Sequence, residues 1–182
     1  MKEIRTATIQ TNDDELVLVG TPILYDTPTE INDPRGSYTE VIKRGALDGA
    51  ELSDTRLLYN HDLNKVPLAR TPRTLQLSLS SVGLEMTATL PNTEEAKSVY
   101  TAVKRGDLTG MSFAFKVPQN GDSYDRATNT RTIHKIEKVY EISVVPFPAY
   151  PETSVEARSA MQHSRALSDL LIKLNQLELK EI

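Results

Sequence analysis

The sequence contains no cysteine. That excludes disulfides, thiolate metal sites and a cysteine nucleophile. It also lacks a surplus of positive charge, since 21 Lys and Arg against 25 Asp and Glu leave a net charge of −4. Nucleic acid and anionic lipid are held by clustered excess cations, so no general affinity for either is expected. No apolar run approaches the ~20 residues that a membrane helix requires. The opening Met1-Lys2-Glu3-Ile4-Arg5-Thr6 mixes charge and polarity where a secretion signal carries an apolar core. The expectation is a soluble protein of the cytoplasm. Also missing are a Walker phosphate loop, a GxGxxG fingerprint, a His-Glu-x-x-His pair and any internal repeat. The three histidines, His61, His134 and His163, stand far apart along the chain.

What is present suits one globular domain with room for a helical appendage. A chain of 182 residues buries a core without covalent staples. Loose alternation over Ile4 to Gln10, a turn at Asn12-Asp13-Asp14 and the run Leu16 to Gly20 predict an opening hairpin. Asp26 to Gly36, with Pro28 and Pro34, reads as an exposed loop, and Glu40 to Leu47 as a short helix or turn. Thr55 to Asn60 predicts a short strand. Thr74 to Leu79 and Leu84 to Leu90 alternate about the turn Ser81-Val82-Gly83 and predict the clearest hairpin. Asn92 or Thr93 caps a helix whose apolar face is Ala96, Val99, Tyr100 and Val103, ended by Lys104-Arg105-Gly106. Gly110 to Val117 and Glu137 to Val145 predict apolar strands, with short strands flanking Asn120-Gly121 and Asn129-Thr130. After Pro151 the composition changes. Leu167, Leu170, Leu174 and Leu177 mark an amphipathic C-terminal helix, which divides the chain into a β domain over 1–152 and a helical tail over 153–182.

With metals and phosphate loops set aside, the residues left for chemistry are a serine, a histidine and a carboxylate. In Gly110-Met111-Ser112-Phe113-Ala114-Phe115, strand alternation puts Met111, Phe113 and Phe115 on one face. Ser112 then shares the other face with Gly110 and Ala114, where small neighbours leave room for a substrate. A strand serine bonded to backbone fits the same pattern, and the segment is not a Gly-x-Ser-x-Gly elbow. His61 ends the strand Leu57-Leu58-Tyr59-Asn60 and is a candidate general base, or an exposed loop histidine paired with Asp62. Glu141 lies within the apolar run Val139 to Val145; if buried it needs a donor, and an imidazole N–H suffices. An edge strand facing solvent would equally accommodate it. Asp62 and Asp107 are weaker carboxylate candidates. His134 is a rival third member, although its Arg and Lys neighbours suggest a solvated face. The basic stretch Arg126 to Lys138 lacks interleaved aromatics for base stacking and reads as a solvated hairpin.

Three blocks, in this order and at this spacing, resemble the prohead (capsid-maturation) serine proteases of tailed phages, distant kin of the herpesvirus assemblin protease. They are Tyr59-Asn60-His61-Asp62, Lys104 to Phe115, and Tyr140 to Tyr150. The resemblance runs from the N-terminal hairpin to about Glu152. It implies a mainly β fold with helices (α+β), a compact antiparallel β-barrel of herpesvirus-protease type flanked by helices. It further implies a serine endopeptidase that cleaves scaffold and major capsid protein segments, and itself, inside the assembling prohead in the host cytoplasm. By this likeness Ser112 is the nucleophile, His61 the general base and Glu141 the third member. The herpesvirus relatives use a second histidine there, which keeps His134 as the alternative. Lys65 to Thr71 is where an oxyanion hole would be sought. No metal and no organic cofactor is implied, and a homo-oligomer is left open. The rival readings are a non-catalytic capsid assembly factor built on the same barrel, and a general β-barrel ligand binder.

Overall fold

A computed structural model describes residues 10–12, 16–33 and 36–146. Twelve strands and one helix follow one another as β1 (Gln10–Asn12), β2 (Val17–Leu24), β3 (Thr29–Asp33), β4 (Gly36–Ile42), β5 (Arg56–Tyr59), β6 (Ala69–Arg70), β7 (Leu75–Leu79), β8 (Gly83–Thr89), α1 (Glu94–Arg105), β9 (Gly110–Lys116), β10 (Asp122–Asp125), β11 (Thr130–Ile133) and β12 (Lys138–Val145). They form three four-stranded sheets, ordered β1-β2-β8-β7, β10-β11-β4-β3 and β6-β5-β12-β9. The chain is mainly β, as expected, with a single helix among the described residues. The described pairings do not close into a ring, so the expected barrel is not visible as one hydrogen-bonded cylinder. Nor are the sheets wholly antiparallel: β11 pairs β4 and β12 pairs β5 in parallel. Parallel neighbours need a long crossover, and alternation within one strand carries no information about the direction of a partner so distant in sequence.

Local rules account for the elements that alternation and capping predict. Thr93 caps α1, its side chain accepting the Ala96 N–H, while Glu94 and Glu95 sit in the positive first turn. Gly106 ends the helix at φ 80°, the left-handed conformation that glycine adopts without a Cβ penalty. Ala96, Val99, Tyr100 and Val103 are buried, as their spacing predicts. At Gly83, which opens β8, a Cβ would fall 1.9 Å from the Ile23 carbonyl oxygen, so no larger residue fits the turn.

Two segments differ from expectation. The expected loop at Asp26 to Gly36 contains β3, whose Ile31 is buried opposite Tyr38 of β4. Glu40 to Ile42 belongs to strand β4 rather than to a helix, and the turn begins only beyond it. Leu18, Leu57, Leu84, Met111, Ile133 and Ile142, drawn from all three sheets, meet α1 in one apolar core. No helix of the described residues is long and apolar enough to cross a membrane. The proposed C-terminal helix and the boundary at 152 lie outside the described residues.

Candidate active site

The sheet β6-β5-β12-β9 brings three distant residues toward one face. On β9, Met111, Phe113 and Phe115 are buried in the core. Ser112, on the opposite face, is 7% exposed. On β12, Ile142 pairs with Phe113 and Val144 with Met111, so these too face the core. Glu141 and Ser143 therefore project to the side of Ser112, and Ser143 stands directly across from Ser112 in the ladder.

A β-bulge makes this possible. Val139 pairs with Phe115 and Glu141 with Ala114, which leaves Tyr140 as an extra residue on β12. Because side chains alternate with period two, an unbulged strand that buried Val139 would turn Glu141 and Ser143 into the core. The inserted residue reverses the parity. Val139 and Ile142 both reach the core, while Glu141 and Ser143 reach the other face.

His61 arrives from the end of β5. Asn60 and His61 take positive φ values of 52° and 57°. This left-handed turn folds the imidazole back over β12. Asn tolerates that conformation well, and His better than most residues. The turn is tied down by Asn60 N–H donating to the Val144 carbonyl (2.9 Å) and His61 N–H donating to Ser143 Oγ (3.1 Å).

The ring's Nδ1 lies 2.6 Å from Glu141 Oε1, both side chains being buried. The second carboxylate oxygen, Oε2, accepts the Ser143 hydroxyl at 2.5 Å. With the Glu141 carboxylate as the acceptor, Nδ1 is the donor of this bond, and the ring presents its other nitrogen, Nε2, away from it. Nε2 is buried and without a hydrogen-bond partner, alone in this among side-chain polar atoms of the described residues. An unsatisfied buried nitrogen costs about 1–3 kcal/mol. Such an imidazole is oriented to accept a proton from a hydroxyl brought to Nε2. The Ser112–Nε2 hydrogen bond itself is not made in this structure.

The other sequence candidates stand elsewhere. His134 is exposed just beyond β11 in a different sheet, where its Nε2 meets Ser123 Oγ at 2.8 Å. Asp62 accepts the backbone N–H of Asn64 (3.0 Å) and closes a turn. Asp107 is exposed and paired with Arg105 at 3.2 Å. In the segment Lys65 to Thr71, the N–H groups of Lys65, Leu68, Arg70 and Thr71 already donate within the fold. Arg131, expected on a solvated hairpin, is instead buried between Glu40 and Asp122. A cleft lined by Thr29, Glu40, Met111 and Phe113 opens on the core side of β9, away from Ser112. Ser143 was not among the sequence candidates. Its spacing of two from Glu141 was the available sign, since residues i and i+2 of a strand share a face.

A buried histidine–carboxylate pair beside a strand serine is the side-chain set of a serine hydrolase. The chain matches the family model described as caudovirus prohead serine protease over residues 2–166. It belongs to that family. It is also similar to the prohead protease of Enterobacteria phage HK97, being 26% identical over 135 residues, which cover 72% of this chain and 58% of that protein. The chain thus matches little more than half the length of this relative. No solved structure matches the chain.

Proposed function

We propose that the chain is a serine endopeptidase of phage prohead maturation, with Ser112 as nucleophile, His61 as general base and Glu141 as the orienting carboxylate. One observation carries this reading. Glu141 occupies Nδ1 of His61 while Nε2 stays buried and unpartnered, on a sheet that also bears Ser112. Membership of the family supports it.

The chemistry is acyl transfer. Ser112 Oγ attacks the scissile carbonyl as its proton passes to His61 Nε2. Glu141 holds the ring in the required tautomer and stabilises the imidazolium. The proton then passes to the amine as the C–N bond breaks. Water, activated by the same nitrogen, releases the acyl group and regenerates the serine. Every proton is carried by the chain's own side chains. The missing Oγ–Nε2 hydrogen bond requires Ser112 or the His61 turn to move, and a bound peptide would favour that movement by filling the site.

The substrates we propose are scaffold and capsid-protein segments, and the chain itself, within the assembling prohead in the host cytoplasm. In this reading the three sheets correspond to a barrel of herpesvirus-protease type. The test is co-expression of the full chain with the phage's capsid and scaffold proteins. Ser112→Ala is expected to abolish the fragments. Identical fragments with and without the substitution would overturn the peptidase reading in favour of a non-catalytic assembly factor.

A further inference from the structure

We propose that Ser143 is a positioning residue of this site, acting through both Glu141 and His61; the inference rests on the peptidase reading above. Its single hydroxyl does two jobs. It donates to Glu141 Oε2 at 2.5 Å, and it accepts the backbone N–H of His61 at 3.1 Å. A hydroxyl has one proton to give and two lone pairs to receive with, so both bonds form together.

Each bond removes a freedom that the site cannot tolerate. A carboxylate held only through Oε1 can rotate and present either oxygen, or neither, to the ring. With Oε2 fixed by Ser143, Oε1 is left facing Nδ1 at 2.6 Å. The second bond acts on the backbone. His61 sits in a left-handed conformation at φ 57°, which persists only when its surroundings hold it. The Ser143 oxygen is one of the anchors. Bulge, carboxylate and turn are thus locked by one side chain, itself wholly buried at 0% exposure.

The same facts separate Ser143 from the nucleophile opposite it. Its proton is directed at the carboxylate and its oxygen at a backbone N–H, and no surface of it is open to a peptide. Ser112, across the ladder, makes no such commitment to Glu141 or to the His61 backbone.

The test uses the full chain and two readouts. The first is the rate at which an alkyl fluorophosphonate labels the protein, fluoride leaving as the serine oxygen bonds to phosphorus. The second is the proton resonance of the His61 ring Nδ1–H, assigned with His61→Gln among the three histidines. Ser143→Ala is expected to slow labelling about 10–100-fold, the loss appropriate to one hydrogen bond to a charged group. The Nδ1–H resonance is expected to shift or broaden away. Ser143→Thr, which retains the hydroxyl, restores both, and Ser143→Cys, a weaker donor, falls between. A purely structural serine would lower the melting temperature and leave the labelling rate per folded molecule and the resonance alone. Wild-type rate and resonance in folded Ser143→Ala would overturn the proposal. Should Ser143→Ala prevent folding, a Ser143→Cys protein with wild-type rate and resonance overturns it equally. Labelling that survives in Ser112→Ala would instead strike the peptidase reading, while the resonance still decides the role of Ser143.

Discussion

Among the described residues lie two buried charge clusters, and they are built to different ends. In one, Arg131 of β11 sits between Glu40 of β4 (2.9 Å) and Asp122 of β10 (2.6 Å), and so spans three neighbouring strands of one sheet. Burial opposes the charge of its guanidinium, and the two carboxylates outweigh that penalty, holding its pKa above the ordinary value. In the other, Glu141 grips one nitrogen of His61 and leaves the second buried without a partner. The first cluster answers its cation with anions and acts as a staple. The second keeps one proton acceptor unanswered. Burial of charge alone therefore says little about function; the unmatched atom is what distinguishes a site from a staple.

The largest expected effect would break that contrast outright. Ser112→Ala should abolish fluorophosphonate labelling, for which the Ser112 oxygen is the bonding atom, and reduce fragment formation by about 10⁶-fold, which abolishes visible fragments. Its melting temperature should stay near that of the wild type, because among the described residues no hydrogen bond depends on the hydroxyl. Next comes Glu141→Gln. An amide can turn its NH₂ toward Nδ1 and select the wrong ring tautomer, so a loss on the order of 10³–10⁴-fold in labelling rate is expected. A Glu141→Gln protein that labels at the wild-type rate would make this cluster a staple like the first.

The reverse result is expected at Arg131. Arg131→Met leaves Glu40 buried without its guanidinium, and breaking a buried ion pair in this way costs about 3–5 kcal/mol. For a domain of this size that lowers the melting temperature by roughly 6–20 °C. The labelling rate per folded molecule should not change. Thermal unfolding followed by labelling at a temperature where both proteins are folded checks both halves.

How much of this was legible in the sequence depended on how local the cause was. The caps of α1 and its buried face follow from residues within one or two turns, and both were readable. So was the parity of Met111, Ser112, Phe113 and Phe115, because β9 is regular. His61 and Glu141 were readable as residue types in three ordered blocks, but their meeting at 2.6 Å across 80 positions depends on β5 and β12 pairing in parallel. The bulge at Tyr140 was not readable, since Val139 to Val145 looks like an unbroken apolar run until β9 fixes its register. Ser143 shares the face of Glu141 by its spacing of two, but which face that is depends on the bulge. Arg131 looked solvated beside Arg126 and Lys135, and only the parallel pairing of β11 with β4 sets it opposite Glu40. Ile31 hid among prolines and polar residues because its strand is defined by the hairpin partner β4.

A third ionic group, exposed where the first two are buried, sharpens the comparison at its weak end. Asp54, just before β5, accepts from Arg70 Nε at 2.7 Å and also contacts Arg56 Nη1 at 3.3 Å. The hydrogen bond from Arg70 chiefly holds its carboxyl below the ordinary value of 3.8; desolvation opposes it, and the charges of Arg56 and Arg70 add to it. A pKa depressed by folding means that the pair stabilises the protein above the unfolded value, and that this support fades as pH falls through 3.8 toward the lowered folded value. Asp54→Asn removes the support. Its melting temperature should fall slightly below that of the wild type at neutral pH and low salt, far less than for Arg131→Met. The difference should shrink in strong salt, where exposed charges are screened, and fade as the pH is lowered below 3.8 toward the depressed folded value. Melting curves at pH 7 and at successive steps below pH 3.8, each at two salt concentrations, measure it. A difference that survives both acid and salt would show that Asp54 belongs with the buried clusters, holding β5 and β6 by shape as well as charge.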